Sequence, residues 1–503
     1  KILSRSITER IKPLLPHLIG KEQLAFIKGR NIAEGNRLID YLIQHLEKNN
    51  ANGLITAYDL AKAFDTVDHG YISQVLQAFG FPASIIESVS TLYHDAESAV
   101  LNNGKTTKYF PLKRSCRQGD PLSPYLFILA FEPLIRRLQN LNNPNVSTPY
   151  HRVTCTAFAD DLTTFDHNEA DLLQTRDTIL AFGEFSGLSL NDDKTEILQI
   201  GNANLSQRLL QYVKPYVKIT GIYHGTSNQE DATSKANFDK PLEKLRNILR
   251  LWKGRHLSIL GRVMVVKSQG LSQFTAIANA IPIPQKITQE ISKIVYGFIW
   301  NGPDKLNRIQ CSKTIEEGGL GMPLPSEFFQ ACLLKWFSKI NRSHPWTDFL
   351  KFDGQKIGGL RCLQHNSFRI SKLDLLPFNK ILFETFQKIQ NCTIKNDFTR
   401  SRASIWNNPL FASPSGRKLK SGLLSEKGFQ VPTDFCSWDG GLISLDEAVR
   451  RGLPRILASE WDQATSAINR HLPNANTIIG SAGPNLVLDD TNALHQVSLT
   501  LSE

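Results

Sequence analysis

Two adjacent acids, Asp160 and Asp161, lie between two short runs that are rich in β-forming residues, at 153–157 and 162–165. Two such runs around an acidic pair predict a β-hairpin with carboxylates at its tip. Adjacent carboxylates repel each other, and a divalent cation, which prefers oxygen ligands, relieves that repulsion. A lone Asp-Asp pair is more often a solvated turn, so the prediction of a metal site depends on finding further acids that can join the pair.

A third acid, Asp59, ends an apolar and β-prone run at residues 54–58. Two strand-end carboxylates that are far apart in sequence can lie side by side in one sheet and share metal ions. Two metal ions a few ångströms apart clamp the attacking and the leaving oxygen of a phosphoryl transfer. The chemistry that these acids predict is therefore metal-assisted phosphoryl transfer.

Three segments, in this order along the chain, resemble motifs of a known family. Phe64 follows Asp59 by five residues, residues 117–124 read Arg-Gln-Gly-Asp-Pro-Leu-Ser-Pro, and residues 158–161 read Phe-Ala-Asp-Asp. These segments resemble motifs A, B and C of reverse transcriptases, with wording similar to the polymerases of LINE-type (non-LTR) retrotransposons. The resemblance implies an RNA-directed DNA polymerase that joins deoxynucleotides to a primer 3′-hydroxyl.

The resemblance also implies a metal centre. Asp59, Asp160 and Asp161 are expected to be catalytic and to hold two Mg²⁺ ions, for which Mn²⁺ can substitute. The backbone carbonyl of Leu60 is expected to be a further ligand. Lys194 lies in the segment 188–198, which resembles motif D, and is expected to protonate the departing pyrophosphate.

Residues around the incoming nucleotide follow from the same resemblance. Phe64 stands at the steric-gate position, where a ring excludes a ribose 2′-oxygen, although a Phe after Ala is usually a core side chain. Gly119 is expected to let the backbone approach the nascent base pair. The residues expected to contact substrate are Leu60, Phe64, Arg117, Gln118, Gly119 and Phe158, with Lys62 and Arg114 as further candidates.

Basic residues in two other segments are candidates for contact with nucleic acid. Lys28 and Arg30 belong to residues 23–30, which resemble a segment of LINE-type enzymes in which the position of Ala25 is more often Gly. Between residues 240 and 267, eight basic residues accompany one acid in a helical pattern with one apolar face. The residues expected to bind the phosphate backbone there are Lys240, Lys244, Arg250, Lys253 and Arg255. An ordinary solvated basic surface is the alternative for both segments.

The predicted fold class is α+β. It comprises a right-hand polymerase palm with an antiparallel sheet and packed helices, then an all-α thumb and a mostly helical C-terminal region. The predicted domains are partial fingers and entry helices at 1–52, the palm at 53–225, the thumb at 226–345 and the C-terminal region at 346–503. Residues 217–223 lie where the primer grip of the family falls. Residues 406–410 and 442–448 resemble the C-terminal part of such elements, and the tail after 474 is expected to be loosely structured.

Apolar spacing predicts the helices that surround the palm strands. Predicted helices include 31–47, 71–79, 83–93, 172–185 and 287–300, and a turn followed by a helix is predicted at 117–138. Asn103 and Gly104 predict the turn of a hairpin at 100–106.

The composition limits the class of protein. A chain of 503 residues with 41% hydrophobic residues is globular and can form several domains. A net charge of +11 favours a polyanionic partner. The seven cysteines include no Cys-x-x-Cys pair, which argues against a zinc knuckle, and their odd number suits a reducing compartment. No apolar run reaches the roughly 18 residues of a membrane span.

The expected partners are an RNA template, a DNA primer and deoxynucleoside triphosphates, with no membrane. The family implies an intracellular protein of cytoplasm and nucleus. Family members carry fingers strands and usually an endonuclease upstream, so the chain is expected to be a fragment. Two alternatives stay open: a catalytically incompetent relative kept for binding nucleic acid, and a group II intron maturase.

Overall fold

A computed structural model describes most of the chain in two compact units. The described residues are 1–141, 146–340, 344–356, 373–389, 442–450 and 453–471, with 370, 405, 419, 423–426, 429 and 432–435. The first unit comprises Lys1–Asn247 with His344–Trp346, and the second comprises the other described residues from Ile248 onward. The stretch at 406–410 and the tail after 474 lie outside the described residues.

All strands of the described residues lie in the first unit. They are β1 Gly53–Tyr58, β2 Glu97–Ser98, β3 Leu101–Asn102, β4 Lys105–Thr106, β5 Phe110–Pro111, β6 Cys155–Phe158, β7 Asp161–Asp166, β8 Glu196–Ile200, β9 Tyr216–Ile219 and β10 Ile222–Gly225. The strands that the sequence predicted around Asp59 and around the Asp160–Asp161 pair are therefore confirmed.

A four-stranded antiparallel sheet with the order β6-β7-β1-β8 forms the centre of this unit. Its strands are covered on both faces. Cys155 and Ala157 of β6 belong to a core shared with Phe127 and Phe131, whereas Thr156 faces the opposite side. On that side a Cβ added at Gly35 would lie 3.3 Å from the Thr156 hydroxyl oxygen, so the missing side chain lets a helix approach the sheet closely.

The helices of the first unit pack around this sheet. They are α1 Ile2–Ile11, α2 Leu15–Leu18, α3 Ile32–Lys48, α4 Ala63–Thr66, α5 His69–Ala78, α6 Ala83–Tyr93, α7 Ser123–Gln139, α8 Glu169–Ser186 and α9 Gln207–Leu210, followed by α10 Glu230–Lys253, which continues past residue 247. The predicted helices at 31–47, 71–79, 83–93 and 172–185 and the turn and helix at 117–138 are confirmed as α3, α5, α6, α8 and α7.

Helix α8 ends where the chain must turn back toward β1. Asn168 caps its start by accepting a hydrogen bond from the Asp171 N–H, and Gly187 ends it with a φ of 80°. A Cβ at Gly187 would lie 2.4 Å from the carbonyl oxygen of Thr66. Glycine is therefore required there both for the left-handed backbone and for the close approach to the end of α4.

Two further hairpins lie outside the central sheet. Strands β3 and β4 are joined at Asn103 and Gly104, both with positive φ, which confirms the predicted turn at 100–106. Strands β9 and β10 pair around Thr220 and Gly221 and contain the segment predicted as primer grip. Strand β10 ends at Gly225, the last residue of the predicted palm.

The described residues between 226 and 340 contain helices and no strand, as predicted for the thumb. The helices that begin after residue 248 are α11 Ile259–Val265, α12 Ser272–Ala280, α13 Gln285–Trp300, α14 Arg308–Ser312, α15 Pro325–Leu334, α16 Trp346–Lys356, α17 Pro377–Ile389, α18 Leu423–Glu426, α19 Leu445–Arg450 and α20 Ala458–His471. A π-helical segment, Val266–Leu271, joins α11 to α12. Of the helices in the described part of the chain, none has both the length and the apolar character needed to cross a bilayer.

Candidate active site

The tip of the β6–β7 hairpin presents two of the predicted catalytic acids. Phe158 pairs with Asp161, which leaves Ala159 and Asp160 as the two residues of the turn. Ala159 has a φ of 56°, a left-handed conformation that is strained for a residue with a Cβ. Asp160 is half-buried and Asp161 is exposed. The hairpin with carboxylates at its tip is therefore confirmed.

The sheet brings Asp59 to the same place. Strand β1 lies beside β7, and the last pair of their register is Tyr58 with Leu162. Asp59 follows Tyr58 directly, so it lies one residue beyond that pair, level with Asp161. Antiparallel pairing thus joins acids that are a hundred residues apart in the chain.

The electrostatics confirm that the three carboxylates are neighbours. Partial burial raises the pKa of Asp160, and the charge of Asp59 raises it further. Burial also raises the pKa of Asp161, with added contributions from Asp160 and Asp59. Neighbouring negative charge therefore makes ionisation of Asp160 and Asp161 harder, and this repulsion is what a bound cation relieves.

Lys194 and Asn191 both bind Asp59. The Lys194 Nζ lies 3.2 Å from Asp59 Oδ2, and the Asn191 Nδ2 donates to the same oxygen at 3.1 Å. The predicted proton donor is thus already at the acidic site. Asn191 was missed by the sequence reasoning; its only signal was a position three residues before Lys194 in the segment that resembles motif D.

Backbone pairing fixes this segment beside the end of β1. The Asn191 N–H donates to the Asp59 carbonyl at 2.8 Å, and the Ala61 N–H donates to the Ser189 carbonyl at 2.8 Å. A 3-10 turn at Asp192–Lys194 then brings Lys194 back over Asp59. The turn is anchored to α8 by Arg176, whose Nη2 lies 2.9 Å from Asp192 Oδ1.

The donor set suits a hard divalent cation, because it consists of carboxylate oxygens. Among the residues that the structure describes, no three Asp, Glu, His or Cys side chains are gathered closely enough to hold an ion as they stand. Lys194 supplies a positive charge at Asp59 instead. A metal site here therefore requires the side chains to close around the ion and Lys194 to give up its share of Asp59.

The Phe64 ring has features of both predicted roles. It is half-buried and stacks on Phe127 with 4.3 Å between ring centroids and 19° between planes. Its backbone carbonyl accepts a hydrogen bond from the Cys116 N–H at 2.6 Å. The ring is thus packed on the core on one side, and its role as a steric gate stays a prediction.

The loop before α7 is tied to α4 by Gln118, whose Nε2 donates to Asp65 Oδ1 at 3.1 Å. Gly119 has a φ of 75°, and a Cβ added there would meet no atom within 4 Å. Glycine is therefore needed at this position for the left-handed backbone. The Arg117 guanidinium lies 5.3 Å above the ring of Tyr93 and is exposed.

Arg30 binds the backbone of its own loop. Its guanidinium donates to the backbone carbonyls of Ile19, Gly20 and Gln23, and burial lowers its pKa. These bonds hold the loop at residues 19–23 together and give Arg30 a structural role, while its contact with nucleic acid stays a prediction. Lys28 is exposed, and its contact with nucleic acid stays a prediction.

The basic residues of α10 and the turn after it are arranged as predicted. Leu242, Leu245 and Leu249 are buried on one face of α10. The exposed residues are Lys240, Lys244, Arg250, Lys253 and, after the helix, Arg255. These five are called the α10 basic face below. Their exposure fits contact with a polyanion, which itself stays a prediction.

Residues 1–229 match the family model described as reverse transcriptase (RNA-dependent DNA polymerase). The transposon TX1 uncharacterized 149 kDa protein of Xenopus laevis is 28% identical over 330 residues, which cover 64% of this chain and 25% of that protein. A retrovirus-related Pol polyprotein from the type-1 retrotransposable element R2 of Popillia japonica is 33% identical over 170 residues, which cover 34% of this chain and 28% of that protein. The chain thus spans about a quarter of the length of these curated relatives.

Among solved structures, apo telomerase from Candida tropicalis is similar at 14% identity with a TM-score of 0.38, over 67% of this chain and 58% of that chain. The assignment of the fold rests on the family match and on the sheet described above.

Proposed function

We propose that the chain is the RNA-directed DNA polymerase of a LINE-type (non-LTR) retrotransposon, because residues 1–229 match the reverse transcriptase family model. The observation that carries the proposal is the meeting of Asp59, Asp160 and Asp161 at neighbouring strand ends, with Lys194 beside them. The relatives that are named as retrotransposon Pol proteins support the type of element.

The proposed metal is Mg²⁺, with Mn²⁺ as a substitute, held by Asp59, Asp160 and Asp161 and by the Leu60 carbonyl. When bound, such ions lower the pKa of the primer 3′-hydroxyl and stabilise charge on the pyrophosphate. The protein itself orients the carboxylates through the β-sheet register. Asn191 keeps one oxygen of Asp59 fixed through its 3.1 Å hydrogen bond.

Lys194 is proposed as the proton donor to the leaving pyrophosphate. Its ammonium group lies at the acidic site and is two-thirds exposed, so a triphosphate can reach it. A charged donor near the leaving oxygen stabilises the transition state as that oxygen gains negative charge. The ion pair with Asp59 keeps this donor in place before the substrate arrives.

Phe64, Arg117, Gln118, Gly119 and Phe158 are proposed to surround the incoming nucleotide. The stack on Phe127 supports one face of the Phe64 ring, so the ring can resist displacement by a 2′-hydroxyl. Gln118 is linked to Asp65, which ties the loop before α7 to the short helix that carries Phe64.

The proposed partners are an RNA template, a DNA primer and deoxynucleoside triphosphates. Lys28 and the α10 basic face are proposed to bind nucleic acid through phosphates, because exposed Lys and Arg side chains release counterions from the backbone. The proposed location of the protein is the cytoplasm and nucleus, as the family resemblance implies.

The test is primer extension by the full chain on poly(rA)/oligo(dT) with dTTP and Mg²⁺, with binding of the same primer–template measured in parallel. We expect incorporation that stops when EDTA removes the metal. Asp193→Asn is the control variant, because Asp193 is an exposed acid near the site. Tight binding without any incorporation would contradict the proposal and favour the catalytically incompetent nucleic-acid-binding relative.

A further inference from the structure

The loop before α3 adds an extra partner to the edge strand of the catalytic hairpin. The Ala157 N–H donates to the Glu22 carbonyl at 2.8 Å, and the Leu24 N–H donates to the Ala157 carbonyl at 2.8 Å. Gln23 thereby lies parallel to Ala157 in β6. This arrangement brings the side chain of Gln23 to the turn that carries Asp160.

The Gln23 side chain binds both backbone groups of Ala159. Its Nε2 donates to the Ala159 carbonyl at 3.1 Å, and its Oε1 accepts from the Ala159 N–H at 2.9 Å. The same Oε1 accepts from the Ala25 N–H at 3.0 Å. The amide of Gln23 thus pairs with Ala159 as a neighbouring strand would.

Burial makes this pairing strong and specific. Gln23 is fully buried, and Ala159 is only 6% exposed. Water cannot replace the amide there, so loss of Gln23 leaves a buried N–H and a buried carbonyl without a partner. Ala159 also has the strained φ of 56°, which persists only where surrounding contacts hold it.

We propose that Gln23 is a positioning residue that fixes the direction of Asp160 by clamping Ala159. The Ala159 carbonyl belongs to the peptide plane that leads into Asp160, so holding that carbonyl sets the orientation of the next Cα–Cβ bond. Arg30 supports the clamp, because its guanidinium donates to the Gln23 carbonyl at 2.6 Å. The inference rests on the proposed function, because that function assigns Asp160 as a metal ligand in nucleotide addition.

The main variant is Gln23→Leu, which keeps most of the volume and removes both hydrogen-bonding groups. The matched control is Leu24→Ala. Leu24 is buried in the same segment, and its pairing with Ala157 uses only backbone atoms. The control therefore lowers stability by leaving a cavity and keeps the bonds to Ala159.

The first measurement needs no metal and no substrate. Hydrogen exchange of residues 155–163 is followed in metal-free protein for the wild type and both variants. We expect the amide of Ala159 to exchange about tenfold faster in Gln23→Leu, because its N–H loses its acceptor. A tenfold faster exchange rate corresponds to the loss of about one ordinary hydrogen bond. We expect no such change in Leu24→Ala beyond its global loss of stability.

The second measurement is the affinity for Mn²⁺, followed by electron paramagnetic resonance, together with single-nucleotide addition. Displacement of a catalytic carboxylate by about 1 Å lowers the rate about 100-fold. Gln23→Leu is therefore expected to lower kcat by about that factor, with KM for dTTP nearly unchanged. The affinity of Gln23→Leu for Mn²⁺ is expected to fall together with kcat. Leu24→Ala is expected to keep both within about threefold, because the transition-state groups stay in place.

A third variant separates clamping from plain packing. Ala159→Gly removes the strain of the left-handed backbone, so added to Gln23→Leu it should recover about five- to tenfold of the lost Mn²⁺ affinity and rate. Equal losses in Gln23→Leu and Leu24→Ala at matched melting temperature, with no recovery by Ala159→Gly, would overturn the inference. If the wild-type chain adds no nucleotide, the proposed function fails, and exchange at Ala159 and Mn²⁺ affinity still decide the role of Gln23.

Discussion

The hairpin tip and the α10 basic face place their charges in opposite ways. At the tip, neighbouring acids raise the pKa values of Asp160 and Asp161, and a buried amide holds the residue that precedes Asp160. On α10, the basic side chains are exposed and are spaced along a helix that packs through leucines on its other face. At the tip, activity depends on the position of each atom, whereas on the α10 basic face binding depends on the total charge. Single substitutions should therefore have large effects at the tip and small ones on α10.

The largest expected effect comes from Asp160→Asn. An amide cannot supply the charge that holds a divalent cation, and metal stabilisation is worth several kcal/mol, so extension should fall by about 1,000-fold or more. The melting temperature should stay the same or rise slightly, because removal of one carboxylate relieves the repulsion that raises the pKa of Asp161. Extension and thermal unfolding are measured on the same preparation, and a folded variant that extends primers normally would show that Asp160 is not catalytic.

A buried acid at the other end of β7 should control stability through pH. Burial raises the pKa of Asp166 to about 6, despite hydrogen bonds from the hydroxyls of Thr175 and Thr164. Because the folded-state pKa is above the unfolded value of about 3.9, the contribution of Asp166 to stability is full well below pH 4 and is lost as pH rises through about 6. The loss is about 3 kcal/mol for a shift of about two units.

Asp166→Asn removes this titration. The difference in free energy of unfolding between wild type and Asp166→Asn should therefore change by about 3 kcal/mol between pH 3 and pH 7, with about 2 kcal/mol of that change between pH 4 and pH 6, and stay constant above pH 7. Asp193→Asn, at an exposed acid, is the control and should give a flat difference. Denaturant unfolding at several pH values provides the measurement, and a flat curve for Asp166→Asn would mean that Asp166 is ionised in the folded protein throughout this range.

Phe64 tests whether the region beside the tip selects the sugar. Phe64→Val should lower the preference for dGTP over GTP by about tenfold or more, which corresponds to roughly 1.4 kcal/mol, while dGTP incorporation changes little. The stack on Phe127 is lost as well, so some stability is expected to be lost. The ratio of kcat/KM values for the two nucleotides decides the matter: an unchanged ratio with a lower melting temperature would make Phe64 a core side chain only.

The smallest effect per residue is expected on α10. Reversing the charges of Arg250 and Lys253 together should weaken primer–template binding and lower the salt dependence, with each lost phosphate contact changing the slope of log K against log salt by about 0.9. The matched control reverses Lys286, an exposed lysine on α13. Binding is measured over a salt series, and equal affinities and slopes for both variants would place the α10 basic face in solvent.

Local patterns were sufficient to predict most of the elements and not their cross-connections. Alternation and turn residues predicted the hairpin around Asp160 and the turn at Asn103 and Gly104, because those preferences lie within a few residues. The bond from Gln23 to Ala159 spans 136 residues, and the bond from Asn191 to Asp59 spans 132. No local pattern contains such partners, since they depend on which strands become neighbours.

Arg30 is a second example of contacts that local sequence patterns do not reveal. Its sequence context, with Lys28 and a glycine nearby, indicated an exposed basic loop. The folded loop instead turns three of its carbonyls toward the guanidinium. Unpaired carbonyls in a partly buried loop need donors, and Arg supplies several in a rigid fork. The charge of a residue is visible in the sequence, whereas the demand for its hydrogen bonds appears only in the fold.

We propose that Asp59, Asp160 and Asp161 form one divalent-metal site in which Lys194 takes the place of a cation at Asp59. The decisive experiment is titration of the full chain with Mn²⁺, followed by electron paramagnetic resonance, in which Asp59→Asn is compared with Lys194→Met. We expect Asp59→Asn to bind Mn²⁺ about tenfold or more weakly, whereas Lys194→Met should bind Mn²⁺ as tightly as the wild type or more tightly, because a competing positive charge is gone. Unchanged binding in Asp59→Asn, or an equal loss in both variants, would contradict the claim and make the pair an ordinary structural ion pair.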